Sequence, residues 1–384
     1  MSRSSHPPVR MAMVGGGPGA FIGPVHRMAA ELDARIQLVA GAFSRDTEKC
    51  RAAAALWDVA PDRAYADYRD MMRAEAARPD GAQLVAIVTP NHLHLPVAQA
   101  ALEAGLHVIS DKPATATLDE ALELRRVVEG SGRLFGLTYT YTGYPMVREA
   151  REIVRRGDLG RIRKVVVEYS QGWLSEPIEQ AGDNKQAGWR TDPTESGAGG
   201  CSGDIGVHAF NIAEFVSGLQ VERVCADLST VVPGRALDDD CNVLLRFQGD
   251  VPGVLVASQI AAGDRNGLRL RVYGEKGGLD WSHESPNTLT LNWLSAPTQT
   301  LHAGSGYLSD AAVAATRLPT GHPEGFIEAF GNIYRDFAEA IATGTRPDTV
   351  PGILAGVRGM AFIDRAILSS REGSTWVSLQ EFAA

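Results

Sequence analysis

The first 137 residues alternate strand-length apolar runs with helical patterns, and this alternation is what most restricts the architecture. Apolar runs fall at residues 9–14, 36–43, 84–89, 106–110 and 134–138. Helical patterns cover 21–32, a stretch from an Asp46 N-cap to about 56, 94–104, and a stretch to 129 that opens with the capping box Thr117-Leu118-Asp119-Glu120. Strands joined through helices on short connections come out parallel, and a parallel sheet is covered on both faces. The pattern predicts an α/β fold with an N-terminal doubly wound parallel sheet.

The rhythm changes after residue 139. A helix at 145–156 leads to a long strand at 162–170, and residues 171–203 are irregular, rich in Gly, Pro and polar side chains. Strands then follow at 221–227, 243–247, 254–260 and 268–273 with no helix between them. That succession predicts a C-terminal α+β domain built on a largely antiparallel open sheet, with helices at 326–342 and 353–369 as its cover. Asp238-Asp239-Asp240 reads as a solvated turn between two of these strands.

Composition narrows the class. A chain of 384 residues with 44% hydrophobic content buries a large core and suits two domains. Its 37 basic and 46 acidic residues leave a formal charge of −9 with no basic tract, which argues against nucleic acid and anionic membranes as partners. Cys50, Cys201, Cys225 and Cys241 are widely spaced and form no C-x-x-C pair, as expected of reduced thiols in a cytoplasmic protein. Residues 1–10 are polar with two prolines and run straight into a strand, so no signal peptide is expected. No apolar run is long enough to span a bilayer.

Gly15-Gly16-Gly17-Pro18-Gly19-Ala20-Phe21-Ile22-Gly23 follows the first strand and opens a helix. A dinucleotide phosphate loop needs that context: glycines admit the pyrophosphate to the backbone, and a helix N-terminus faces it. Gly15, Gly17, Gly19, Ala20, Phe21 and Ile22 are the candidate contacts. The second strand ends in Phe43-Ser44-Arg45, with a hydroxyl and a guanidinium where an NAD-binding carboxylate commonly stands. Ser44 and Arg45 therefore point to NADP before NAD, and Asp46 is left as a helix cap. Thr89-Pro90-Asn91-His92-Leu93-His94 closes the third strand, with Thr89, Pro90, Asn91 and His94 read as a loop under the nicotinamide ribose. A plain turn with Asn91 as N-cap and a His-x-His metal pair are the competing readings, and no metal is expected.

Asp111-Lys112-Pro113 ends the fourth strand and puts an ammonium at the ligand edge, unless Lys112 is an ordinary surface lysine. Gly199-Gly200-Cys201-Ser202-Gly203-Asp204-Ile205-Gly206-Val207-His208 sets a carboxylate and an imidazole four apart after a glycine loop. If Asp204 opens a helix, the two share a face, and His208 has the chemistry to take a hydroxyl proton. The alternative is a helix cap and a satisfied histidine. These elements together point to a nicotinamide-dependent oxidoreductase acting on a carbinol.

In this order the motifs resemble the Gfo/Idh/MocA family. The resemblance rests on the glycine loop with His26 beyond it, Thr89-Pro90-Asn91-His92, Asp111-Lys112-Pro113, and Trp189-Arg190-Thr191-Asp192-Pro193 leading into Gly199-Gly200, Asp204 and His208. It implies a Rossmann domain (1–137) and a substrate-binding and oligomerisation domain (138–384) whose open sheet assembles dimers or tetramers. It also implies that Lys112, Asp204 and His208 are catalytic. The substrate class is read from the residues instead: Trp189, Arg190, Asp192 and several amides between 172 and 203 suit a sugar, glycoside or cyclitol. Tyr141, Tyr144, Trp189, Arg190, Asp192 and His322 are candidates to line the substrate site. The chain departs from the family in its longer glycine loop, in Asp111 where Glu is usual, and in Thr140-Tyr141-Thr142-Gly143-Tyr144-Pro145 in place of Asn-x-Arg-Phe. Two alternatives stay open: a non-sugar substrate such as a dihydrodiol or tetrapyrrole, and a non-catalytic NAD(P)-sensing regulator.

Overall fold

The computed structural model describes residues 6–181, 184–345 and 348–383. Residues 1–5, on which the leader expectation rests in part, lie outside them. The chain forms two compact units, Met1–Tyr139 with Phe330–Val357, and Thr140–Ala329 with Arg358–Ala384.

In the first unit the elements run β1 (Val9–Gly15), α1 (Ile22–Glu31), β2 (Ile36–Ala42), α2 (Thr47–Leu56), α3 (Tyr68–Ala77), β3 (Leu84–Val88), α4 (His94–Glu103), β4 (His107–Ser110), α5 (Leu118–Ser131) and β5 (Phe135–Leu137). The sheet is parallel throughout, in the order β2-β1-β3-β4-β5. Both faces are covered: Met11, Met13, Val85, Ile87, Val108 and Ile109 have no exposed surface, which is why the strands read as unbroken apolar runs. Sequence order reverses between β1 and β3, and ligands of such sheets bind at the strand ends beside that switch.

Helix α3 is the element the apolar rhythm did not reveal. Its buried face holds Met71, Met72 and Glu75, and the Glu75 carboxylate pairs with Arg63 and accepts from the Tyr65 hydroxyl. A helix that buries a charge in place of a third apolar residue has no clean amphipathic stripe to read.

The remaining elements are α6 (Pro145–Arg155), β6 (Ile162–Ser170), α7 (Lys185–Thr191), α8 (Pro193–Ser196), α9 (Val207–Ser217), β7 (Val221–Ser229), β8 (Asp240–Phe247), β9 (Val251–Ser258), β10 (Gly267–Gly274), β11 (Gly277–Ser282), β12 (Thr288–Trp293), β13 (Gln299–His302), α10 (Asp310–Ala314), α11 (Phe326–Thr343), α12 (Ile353–Arg371) and β14 (Val377–Ser378), and all the strands among them lie in the second unit. Nine strands pair in the order β13-β12-β11-β10-β6-β9-β8-β7-β14. All neighbours are antiparallel except β6 and β9. Burial alternates along β8: Cys241, Val243, Leu245 and Phe247 face the core, while Leu244 is 49% exposed on the open face. On the covered side, Phe362 of α12 stacks on Phe210 of α9 at 4.7 Å, and the Ala226 N–H of β7 donates to Ser369 of α12.

Most of α11 falls in the first unit, whereas the sequence pattern places it with the second sheet. Residues Phe330–Val357 belong to the first unit, where Phe337 packs on Gly136 and the Leu137 N–H donates to the Pro351 carbonyl at 2.8 Å. β5 is an edge strand of the parallel sheet, and the returning chain satisfies its Leu137 N–H.

The three aspartates at 238–240 are not a solvated turn. Asp238 accepts from the backbone N–H groups of Gly200 and Ser202, both at 2.7 Å, and from the Ser202 hydroxyl. Asp239 accepts from Val231 and Val232 N–H and pairs with Arg235 at 3.3 Å, each side chain 2% exposed. Asp238 and Asp239 are drawn into the fold because backbone donors and a guanidinium meet them, while Asp240 begins β8 half-exposed. All four cysteines are free thiols. Among the described residues no helix is long and apolar enough to cross a membrane.

Candidate active site

In the first unit the glycine loop turns from β1 into α1 under tight steric control. A Cβ on Gly23 would lie 2.4 Å from the Gly16 Cα, and one on Gly17 would lie 2.5 Å from the Phe43 carbonyl oxygen. The loop therefore hugs both the start of α1 and the end of β2. Gly15, Gly19, Ala20, Phe21 and Ile22 complete the turn. Phe21 occupies the N-cap of α1 with no side-chain cap, and no acidic residue sits in the first turn. Side chains thus leave the first N–H groups of α1 to an anion, which fits a dinucleotide pyrophosphate.

Beyond β2, Asp46 accepts from Glu48 and Lys49 N–H at 2.9 and 3.1 Å, so its carboxylate is committed to capping α2. The Ser44 hydroxyl accepts from the Asp46 N–H, and Arg45 is exposed. After β3, Thr89 and Pro90 lead into a 3₁₀ turn, Asn91–Leu93, and α4 starts only at His94. Asn91 is buried but does not cap α4. The His-x-His pair is split: His92 is exposed, while His94 is buried with Nδ1 2.8 Å from the Pro113 carbonyl and Nε2 3.0 Å from that of Thr89. Burial pushes the His94 pKa down, against the pull of Asp111 and the two carbonyls. His94 thereby ties the loop after β3 to the loop after β4. Among the described residues no group of side chains could hold a metal ion.

Asp111 follows β4. Its Oδ1 accepts from the Lys112 N–H at 2.9 Å and the Thr138 hydroxyl at 3.0 Å, and it faces His26 Nε2 at 3.9 Å. Burial pushes the carboxyl up, but His26, Lys112 and His94 together hold it well below the usual carboxylate range. His26, fully buried on α1, places its Nδ1 2.6 Å from the Tyr334 hydroxyl and packs edge-on against Phe330. Asp111 is thus turned into the fold, anchoring the backbone that carries Lys112.

In the second unit the loop containing Gly199 and Gly200 enters a helix at Cys201, widens into a π turn over Ser202–Gly206, and continues as α9. Asp204 does not open this helix. Asp238 caps it from outside, and a Cβ on Gly200 would lie 2.1 Å from the Asp238 carbonyl oxygen. The Asp204 carboxylate turns instead to Gln259 Nε2, at 2.9 Å from Oδ2, and to Arg190 Nε, at 3.4 Å from the same oxygen. π turns recur at functional sites because they re-aim side chains that a regular helix would stack.

His208 lies edge-on to the Tyr141 ring, centroids 5.0 Å apart, and near Tyr169. Tyr141, Tyr169 and Asn266 close a cycle of hydrogen bonds. Tyr141 and Tyr169 bond through their hydroxyls, Tyr169 donates to Asn266 Oδ1 at 2.7 Å, and Asn266 Nδ2 donates to the Tyr141 oxygen at 3.2 Å. Gln171 and His283 extend the network, and the Tyr144 hydroxyl lies 3.0 Å from His283 Nε2. Burial raises the pKa of Tyr141, Tyr144 and Tyr169 and lowers that of His283, favouring the neutral form of each.

Arg190 stacks on Trp189 at 4.3 Å, with Trp173 at 6.0 Å. Asp192 caps α8, and the Thr194 hydroxyl and N–H on its carboxylate lower its pKa. His322 sits on an exposed turn, its Nδ1 facing the Pro319 carbonyl, and none of its contacts among the described residues reaches this cluster. The structure therefore gathers Tyr141, Tyr144, Trp189, Arg190, Asp204 and His208, with Asp192 employed as a cap and His322 apart. Tyr169, Gln171, Trp173, Gln259, Asn266, His283 and Tyr334 escaped the sequence. Tyr169, Gln171 and Trp173 share one face of the chain at the end of β6, a period-two signal that could have found them, whereas Gln259, Asn266, His283 and Tyr334 come singly from separate segments.

Comparison with known proteins matches a description of an oxidoreductase family with an NAD-binding Rossmann fold over residues 9–139, and a GFO/IDH/MocA C-terminal domain over 147–280. An uncharacterized oxidoreductase of Bacillus subtilis is 35% identical over 383 residues, covering 97% of each chain. Levoglucosan dehydrogenase of Pseudarthrobacter phenanthrenivorans is 28% identical over 331 residues, 78% of this chain and 81% of its own. The crystal structure of an inositol dehydrogenase homolog complexed with NAD+ from Azotobacter vinelandii is 38% identical, with a TM-score of 0.92 and 97% of each chain covered.

Proposed function

Because the chain belongs to the Gfo/Idh/MocA oxidoreductase family, we propose that it is a nicotinamide-dependent dehydrogenase oxidising a ring carbinol of a sugar, glycoside or cyclitol. The observation that carries this reading is a neutral wall of hydroxyls, amides and imidazole around His208, in a chain that also builds a glycine cradle for a dinucleotide. Such a wall pairs several hydroxyls of one substrate and rejects analogues that lack them. The inositol and levoglucosan named for the relatives are both polyhydroxylated rings.

When bound, the nicotinamide supplies the hydride acceptor. His208 takes the hydroxyl proton, and Lys112 stabilises the charge that develops on the oxygen. Asp204 holds a hydroxyl in register. Gly15, Gly17, Gly19, Ala20, Phe21 and Ile22 would hold the pyrophosphate, and Thr89, Pro90 and Asn91 would hold the ribose. Ser44 and Arg45 support NADP, since the nearest carboxylate, Asp46, is committed to its helix.

A thermal-shift panel of NAD, NADH, NADP and NADPH tests the cofactor half of the reading. A ligand that binds the native state raises the melting temperature by mass action. The expected result is a clear rise, larger for the 2′-phosphorylated forms and reduced for them alone in Arg45→Ala. No rise with any form overturns the dehydrogenase reading; a larger rise with NAD overturns the NADP assignment.

A further inference from the structure

We propose that Arg190 and Gln259 are positioning residues that orient the Asp204 carboxylate and keep it ionised; the catalytic part of this inference rests on the role given to Asp204 above. Two donors from separate elements converge on one oxygen. Gln259, directly after β9, reaches Asp204 Oδ2 at 2.9 Å, and Arg190 of α7 reaches it at 3.4 Å. A carboxylate met by two fixed donors on the same oxygen has a set rotation.

Both donors are themselves held. Gln259 is 3% exposed, and its backbone N–H donates to the Asp239 carbonyl. The Arg190 guanidinium lies over Trp189 with Trp173 beyond it, and its Nη1 donates to the Gln186 side chain at 2.7 Å. The Trp173 indole N–H is in turn fixed by Gln171. Stacking on indole while donating in the guanidinium plane is something arginine does and lysine does not.

The titratable and charged groups facing Asp204 include Arg190 of α7, Cys201 on its own helix, Tyr141 before α6 and Tyr169 on β6. Among these Arg190 is the permanent cation, so it biases the carboxyl toward the charged form. Exposed ion pairs contribute little, but here the two side chains are 20% and 18% exposed and one is stacked.

The test needs no substrate. Melting temperatures of wild type, Arg190→Met, Asp204→Asn and the double variant form a cycle at about pH 8 and again at about pH 4. Protonation removes the ion pair, so the expected coupling is about 2 °C or more near pH 8 and vanishes in acid. Additive effects at both pH values overturn the proposal.

A second arm uses turnover of a polyol. Arg190→Met should lose about tenfold or more in kcat/KM, with its acid limb moved to higher pH and cofactor affinity unchanged. Arg190→Lys should not restore it, and Gln259→Ala should give a smaller loss of the same kind. An unchanged pH profile in Arg190→Met overturns the proposal. A wild type that turns over no polyol overturns the proposed function instead, while the melting cycle still decides the pairing.

Discussion

At Asp111 burial and hydrogen bonding pull the same carboxyl in opposite directions, and hydrogen bonding with its neighbouring charges wins. Its folded pKa is depressed, so its contribution to stability is present above the unfolded value of about 3.9 and is lost as pH falls through the folded value. Asp111→Asn should cost about 1–3 kcal/mol at neutral pH, with the gap to wild type closing in strong acid. Denaturant titrations stepped from about pH 7 down to about pH 2 check this, and a loss that stays equal over the whole range contradicts it. Lys112, one residue on, answers a different question. Lys112→Ala should lower kcat by about 10²–10³-fold with little change in cofactor affinity, because a donor aimed at developing charge is worth most in the transition state. A variant keeping half of wild-type turnover removes Lys112 from the chemistry.

Among the elements, what the sequence revealed follows from where the physics is local. The Thr117 capping box is present, and β6 runs over the residues its apolar alternation marks, because caps and period-two burial are read within a few residues. The cap on the helix entering Asp204 is not local: Asp238 reaches it from the β7–β8 connection, so sequence spacing had no means to disclose it. The same distance hides from the sequence the donors that draw Asp238 into the fold, while α3 is hidden by the buried Glu75–Arg63 pair that breaks its apolar stripe. Asp238→Ala should leave the Gly200 and Ser202 N–H groups without their acceptor and cost about 1–2 kcal/mol. It should also lower kcat, since the π turn bearing Asp204 loses its anchor, while nicotinamide affinity holds. A variant as stable as wild type, or one that loses cofactor binding first, contradicts that anchor role.

For the whole molecule, the ordered motifs carried the family, and the two-sheet architecture followed from the switch in rhythm at residue 139. The wall proposed for the substrate was half legible. Tyr141, Trp189, Arg190, Asp204 and His208 lie in or beside motifs, whereas Tyr169, Asn266 and His283 are gathered by strand register that no single segment encodes. The central claim is dehydrogenation of a ring carbinol with His208 as base, and it has a direct measurement. Formation of reduced nicotinamide is followed for wild type and His208→Asn with NAD and NADP over a panel of inositols, anhydrosugars, aldoses and an aromatic diol, across pH. Wild type should turn over at least one cyclic polyol and gain kcat/KM as pH rises and the imidazole gives up its proton. His208→Asn should be slow and nearly flat with pH. Turnover of the aromatic diol alone, or an unchanged pH profile in His208→Asn, would contradict the account.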